Sequence, residues 1–540
     1  GQLHGNFQTD AQYYLLDEAI GDPAETYPDE RLLATGFLNL TYTYKNFIAG
    51  VRYENYQNNR LGFPVGFEGE GITYRYARFI KDGLDITAGN FYEQFGSGMV
   101  LRAYEERGLG LDNNLDGIRL IYQPVKGVQV KALVGRQRLY FDKTEGIVRG
   151  ADLQYNFADA LEWEGNTNLI VGGSFVSKFQ EANDPFLNLP ENVGAGAVRY
   201  NLISGNWNIY GEYGLKANDP SSDNNNVFKE GTAIYQTVSY AKGRLGVLLG
   251  AKHYDNFFFR SQRVATQTEA LINYLPSLTK LHTYALPALY SFNTQANGEQ
   301  GIQAEVFYRF KRNSALGGKY GTLITLNYSN SYSLDKNFTT RYDSLLGSET
   351  ISGTEGYTYE FGDRGDITYF QDFDVEIKSK LNKKWKATFT YYNLRYNFDV
   401  MFKGSTDYDL KLNDLEGELV NINAGVLELL YKIKPRQSLR TEFQALFTED
   451  RADRGHWALI LAEYSIAPHW FFAIQDAYNF GNPDADKRLH YINFNMGYTR
   501  GTTRIQLGYG RQQEGVFCVG GICRIVPASN GFSLGVTSNF

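Results

Sequence analysis

Short runs in which apolar and polar side chains strictly alternate recur from one end of this chain to the other. Near the end, Phe532, Leu534, Val536 and Phe540 share one parity, and Ser533, Gly535, Thr537 and Asn539 the other. Before them, Ile492, Phe494, Met496 and Tyr498 alternate with Asn493, Asn495, Gly497 and Thr499, and Ile505, Leu507 and Tyr509 with Arg504, Gln506 and Gly508. The same pattern holds early, with Leu38, Leu40, Tyr42 and Tyr44, and mid-chain, with Ala304, Val306, Tyr308 and Phe310. Period two marks a β-strand with one apolar and one polar face.

Alternation alone also suits a soluble β-sandwich; the turns separate the two. Strand-like runs are paired by very short, mostly basic connections such as Lys45-Asn46, Lys81-Asp82-Gly83, Lys242-Gly243-Arg244, Lys434-Pro435-Arg436 and Arg500-Gly501-Thr502. Between these lie longer polar loops, many of them acidic, for example Asp17 to Arg31, Asn218 to Gly231 and Asp335 to Asp366. Tight turn, then long loop, throughout the chain is the rhythm of a transmembrane barrel with short periplasmic turns and long extracellular loops. The pairing predicts about 24 strands (22–26), an even number with both termini periplasmic. Closure is required, because an open edge would leave unpaired backbone groups in hydrocarbon, each costing several kcal/mol. The fold class is therefore all-β: a single large closed antiparallel transmembrane β-barrel.

Composition agrees. No run approaches the roughly 18 apolar residues of a spanning helix. In a barrel only alternate residues face lipid, so a chain with 41 Tyr, 36 Phe and 56 Gly is aromatic-rich without high mean hydropathy. Pro is scarce, at 13, and no Gly/Ser or Pro linker divides the chain, so residues 1–540 are expected to form one barrel domain without a plug or periplasmic domain. A net charge of −7 argues against nucleic acid as a partner. The opening Gly1-Gln2-Leu3-His4 suits a chain whose signal peptide has been cleaved, and the terminal Phe540 ends an amphipathic strand as in outer-membrane proteins. The expected location is the bacterial outer membrane, with its lipid and lipopolysaccharide as surroundings.

Three segments stand out. Cys518 and Cys523, the two cysteines, flank Val519-Gly520-Gly521-Ile522. A Gly-Gly turn would set them directly opposite one another, so a disulfide at a loop tip is expected. The Gly-rich stretch from Phe95 to Gly117 carries Arg102, Glu105, Glu106, Arg107, Asp112 and Asp116. It reads either as a loop folded into the lumen, constricting it through opposed charges, or as an ordinary extracellular loop with a β-bulge. Residues Arg260 to Glu299 are hydrophobic for an exposed loop, with Leu275, Leu286, Leu289 and Tyr290 among their apolar side chains. Such surface packs against something: the barrel's own mouth, or a partner protein, which is the favoured reading. The six histidines show neither metal spacing nor a catalytic arrangement, so no metal, no cofactor and no enzymatic activity are expected.

The Arg-Ala-Tyr-Glu-Glu-Arg-Gly-Leu-Gly-Leu-Asp run within Gly96 to Gly117, and His282-Thr-Tyr-Ala-Leu-Pro-Ala-Leu-Tyr290, resemble a Bacteroidota family of large outer-membrane barrels. That resemblance implies an accessory subunit of the phylum's enlarged β-barrel assembly machinery, with other outer-membrane barrels and lipoproteins as partners. The alternative from size alone is a passive, porin-like channel for solutes.

Overall fold

In a computed structural model the chain forms one closed antiparallel sheet of 24 strands. The structure describes residues 1–540 apart from 22–28, 183, 185, 346, 414–416, 449–453 and 521. In chain order the strands are β1 (Gln2–Tyr14), β2 (Leu32–Tyr44), β3 (Phe47–Gln57), β4 (Gly69–Lys81), β5 (Leu84–Phe91), β6 (Leu115–Tyr122), β7 (Val128–Leu139) and β8 (Asp142–Asn156). Next come β9 (Thr167–Phe179), β10 (Asn192–Ser204), β11 (Trp207–Lys216), β12 (Gly231–Lys242), β13 (Leu245–Asp255), β14 (Glu299–Arg309), β15 (Thr322–Leu334) and β16 (Arg364–Lys380). The ring is completed by β17 (Trp385–Asn397), β18 (Leu419–Lys434), β19 (Gln437–Thr448), β20 (Trp457–Ile466), β21 (Trp470–Tyr478), β22 (His490–Arg500), β23 (Thr503–Gln512) and β24 (Ser529–Asn539). Each strand pairs with its sequence neighbours, and β1 pairs with β24, Asn6 opposite Asn539 and Tyr13 opposite Phe532. No backbone edge is left for lipid to meet.

One rim carries the tight turns and both chain ends, with Gly5 N donating to Phe540 O at 2.7 Å. Asp82 and Gly83 both have positive φ, the primed-turn geometry whose twist matches the strands it joins. The expected rhythm fails in three places. On the turn rim, 157–166 and 310–321 are longer connections; the first winds into a one-turn helix, Phe157–Ala160, capped by Asn156 Oδ1, which accepts from Ala158 N and Asp159 N. On the opposite, loop rim, β7 and β8 are joined by two residues, Tyr140 and Phe141, a pair without the Gly or Asn that signals a turn. Part of the Asp17 to Arg31 loop lies outside the described residues.

Side chains of the apolar parity face outward. Phe7, Ile118, Phe175, Val198, Ile302, Phe389, Ile460, Ile492 and Leu534 are all exposed around the whole circumference, an arrangement suited to hydrocarbon. Near the turn rim, aromatic residues pair across neighbouring strands: Trp207 with Tyr240, Trp385 with Tyr431, and Trp470 with Tyr498, ring centres 4.5–4.6 Å apart. These form one interfacial girdle. Towards the loop rim the polarity inverts. On β18, Leu427 still faces outward, but above it Asn421 and Asn423 take the outer face while Val420, Ile422, Ala424 and Val426 are buried inside. The barrel wall therefore rises beyond its lipid-facing belt, and its upper interior is lined for packing.

Candidate functional site: a loop-filled bore

That interior is filled by residues 256–298, the connection between β13 and β14. One arm places Phe257, Phe259, Ile272 and Leu275 against inward side chains of β5–β12, among them Leu115, Val148 and Val176. The other arm places Tyr284, Leu286, Leu289, Tyr290 and Phe292 against Leu394, Val420, Ile422 and Trp457 on β17–β20. The two walls face each other across the ring, so the loop crosses the bore. Leu275, Leu286, Leu289 and Tyr290 are all buried, between 0% and 8% exposed. This corrects the expectation that they meet a partner: an apolar loop long enough to reach the far wall satisfies itself inside the barrel.

Polar anchors hold the loop where its backbone lacks partners. Asn273 Nδ2 donates to Phe257 O at 2.8 Å and to Met99 O at 3.2 Å, and its Oδ1 accepts from Phe259 N at 3.1 Å. Leu271 O accepts from Gln137 Nε2 at 2.6 Å and Asn113 Nδ2 at 2.7 Å. Lys252 Nζ, fully buried, donates to Ser277 O at 2.5 Å and pairs with Glu299 at 2.7 Å. Lower on the loop, Lys280 pairs with Asp374 at 2.6 Å, and His282 Nε2 lies 3.4 Å from Asp372. Complete burial, together with the Lys280 ammonium, pushes the His282 imidazole down to about 3, so it is held neutral.

The second inward element is residues 92–114, folded as two small hairpins, Glu93–Phe95 with Leu101–Ala103 and Glu105–Glu106 with Leu111–Asp112. The charges expected there divide. Asp112 and Glu105 meet Arg52 of β3: Glu105 lies 3.0 Å from Arg52 Nη1, and Asp112 contacts both Arg52 and Arg138 of β7, the latter at 2.7 Å. Glu54 completes the cluster, 2.7 Å from Arg52 and 2.6 Å from Arg138. Burial alone would raise the Asp112 carboxyl, but Arg138 and Arg52 hold it below the ordinary carboxylate range. Arg107 pairs with Glu105 at 2.7 Å, and Arg102 stacks between the rings of Tyr104 and Tyr274, 4.1 Å from each. Glu106 caps its own turn through Gly108 N. Asp116 does not belong here. It shares the outward parity of Ile118 on β6 and pairs with Arg75 and Lys143 on the outer surface.

Arg52, Glu54 and Arg138 were not singled out from sequence. Their signal is a charged residue on the polar face of an alternating run, as with Arg52 between Val51 and Tyr53, and many strands carry one. The hairpin Gly515–Val519 with Ile522–Val526 lies over the 256–298 loop, which plugs the bore, with Cys518 opposite Cys523 and disulfide-bonded, their Cα atoms 4.1 Å apart. Gly521 of its turn lies outside the described residues. Tyr274 Oη donates to Gly520 O at 2.8 Å, and Arg524 donates to Gly108 O and Gly62 O at 2.8 and 2.9 Å, so four loops interlock at the mouth. Among the described residues no three His, Cys, Asp or Glu side chains are grouped to hold a metal ion.

A model of a family of unknown function, DUF6029, matches residues 1–540. The chain belongs to this family. No protein of curated function matches the sequence of this DUF6029 member. Solved structures similar to it include the P pilus usher (PapC) translocation pore, at 9% identity and a TM-score of 0.47 over 99% of both chains. The siderophore receptor PirA from Pseudomonas aeruginosa is similar at 9% identity and 0.43, over 100% of this chain and 80% of the receptor. The outer membrane protein opdK from Pseudomonas aeruginosa is similar at 11% identity and 0.35, over 82% of this chain and 97% of that one.

Proposed function

We propose that this barrel is a non-catalytic accessory subunit of a multiprotein outer-membrane assembly or export complex, such as the β-barrel assembly machinery, and meets its partners through loops outside the cell. The observation that carries this reading is the wall-to-wall crossing of the bore by residues 256–298. Passive diffusion needs an open path, and the apolar packing of Phe257 to Phe292 on both walls occupies it. That speaks against the porin-like alternative.

With the plug's own apolar residues turned inward, the contact surface lies on the loop tips. Phe186 (94% exposed), Leu345 (96%), Tyr342 and Phe361 stand out from the loops 180–191 and 335–363. These two loops approach one another, Leu187 lying near Gly353, while Phe361 also packs on His253 of β13. Exposed aromatic side chains are enriched among the anchors of protein interfaces. The resemblance to Bacteroidota barrels supports other barrels and lipoproteins as the partners. Purification from native outer membranes in mild detergent tests the reading. Barrels and lipoproteins in fixed ratio are expected with the native chain and lost with Phe186→Ser and Leu345→Ser together. A lone barrel, or partners indifferent to both substitutions, would overturn it.

A further inference from the structure

From the outward surface of β4–β10 we infer a binding site for a phosphorylated glycolipid of the outer leaflet. Arg136 on β7 shares the outward parity of exposed Val134, and Arg149 on β8 that of exposed Leu153. Both guanidinium groups are exposed, and among the described residues neither has a carboxylate partner. In the ladder Arg136 lies opposite Asp116 and Ile147, and Arg149 opposite Val134 and Ser177, so the two cations sit on adjacent strands one step apart. Asp116 is engaged elsewhere, 3.3 Å from Arg75 and in contact with Lys143, two further outward cations. Glu145 and Glu70 are the other acids on this face, and Glu70 is already held by Tyr53 and Asn55. Four cations against three acids leave a small positive excess on this sector of the wall. The same upper level of β17 and β18 carries Asn393, Asn421 and Asn423 with Arg395.

A charge facing the bilayer midplane costs about 2–4 kcal/mol and near the interface little. Unpaired arginines are therefore tolerated only at headgroup depth, where this site requires the two to lie. Directly below Arg149, two residues or roughly 7 Å down β8, an apolar trough of about 680 Å³ opens in the outer wall. Its floor is Ala151, Gly173 and Gly196, and its sides are Leu153, Phe175 and Val198. Small residues on three successive strands make the hollow. A Cβ built on Gly173 would meet only Ala197 O, at 4.0 Å, so no packing inside the wall requires glycine there. A hollow for hydrocarbon beneath two unpaired guanidinium groups fits an acyl chain whose headgroup carries phosphate, which arginine grips through paired hydrogen bonds. The inference needs the membrane location but not the partner reading above.

The full chain, purified in detergent, is to be titrated with lipid A carrying both phosphates and with the same lipid dephosphorylated. Arg136→Gln with Arg149→Gln is expected to weaken binding of the phosphorylated lipid at least about tenfold. Dephosphorylation should weaken binding to the native chain similarly and add nothing in the double variant. Gly173→Phe, which fills the trough, should weaken both lipids. Heat-modified mobility on gels confirms that each variant is a folded barrel. Equal binding of both lipids, an unaffected double variant, or competition by inorganic phosphate at equal concentration would overturn the site. So would cross-linking from Ala151→Cys that captures a second barrel in place of lipid.

Discussion

Arg52 holds Glu54, Glu105 and Asp112 at once, tying a hairpin of the mouth to the barrel wall. Its side chain is 5% exposed and that of Glu54 is 1% exposed, so removing the cation strands buried carboxylates. Breaking a buried pair from one side costs about 3–5 kcal/mol, far more than the pair's net worth. Arg52→Ala should accordingly lower the unfolding free energy of the detergent-solubilised barrel by about that much in urea titrations, and Arg52→Lys by less. His282 makes the complementary prediction. Its folded pKa, about 3, lies below the ordinary 6.5 or so. The stability it contributes is therefore full above pH 6.5 or so and is lost as pH falls towards 3. Protease access to residues 262–270 should rise over that window, and His282→Asn should flatten the rise. The sequence shows these charges but not their grouping: Arg52, Glu105 and Arg138 meet only once the barrel has curved and the 92–114 loop has folded in.

At the scale of elements, the strands were legible, and the inward course of the two loops was legible only as one of two alternatives. Strand number, parity and closure follow from alternation and from turns such as Lys81-Asp82-Gly83, because both are local physics. What alternation cannot say is which parity faces lipid. On β18 the apolar parity faces inward above Leu427, since a loop more than a hundred residues earlier supplies the packing partner. The same limit misplaced Asp116: read as the end of a loop, it is the second residue of β6, and one step of register carries it to the outer surface. Tyr140-Phe141 turns the chain without turn residues, held by packing of Tyr140 and Phe141 on Phe67 and Tyr56. The hairpin at Cys518–Cys523 can be tested alone. Its disulfide closes a very short loop, worth about 2 kcal/mol in the chain-entropy model. Cys518→Ser with Cys523→Ser should leave the barrel folded while opening 513–528 to limited proteolysis.

Taken whole, the molecule is a wide ring whose upper bore holds two hydrophobic clusters, one on each wall, together with buried ion pairs. A 24-strand ring encloses room for water unless something fills it. Here residues 256–298 join opposite walls, so the plug and the wall are expected to unfold together. The measurement that bears most directly on this account is conductance across a planar bilayer, comparing the native chain with one in which 262–292 is replaced by a short Gly/Ser tether. The native barrel should insert silently, and the tethered variant, still heat-modifiable on gels, should open in discrete steps. Stable single-channel steps from the native chain would contradict a closed bore, and with it the reading of this protein as a partner-binding barrel.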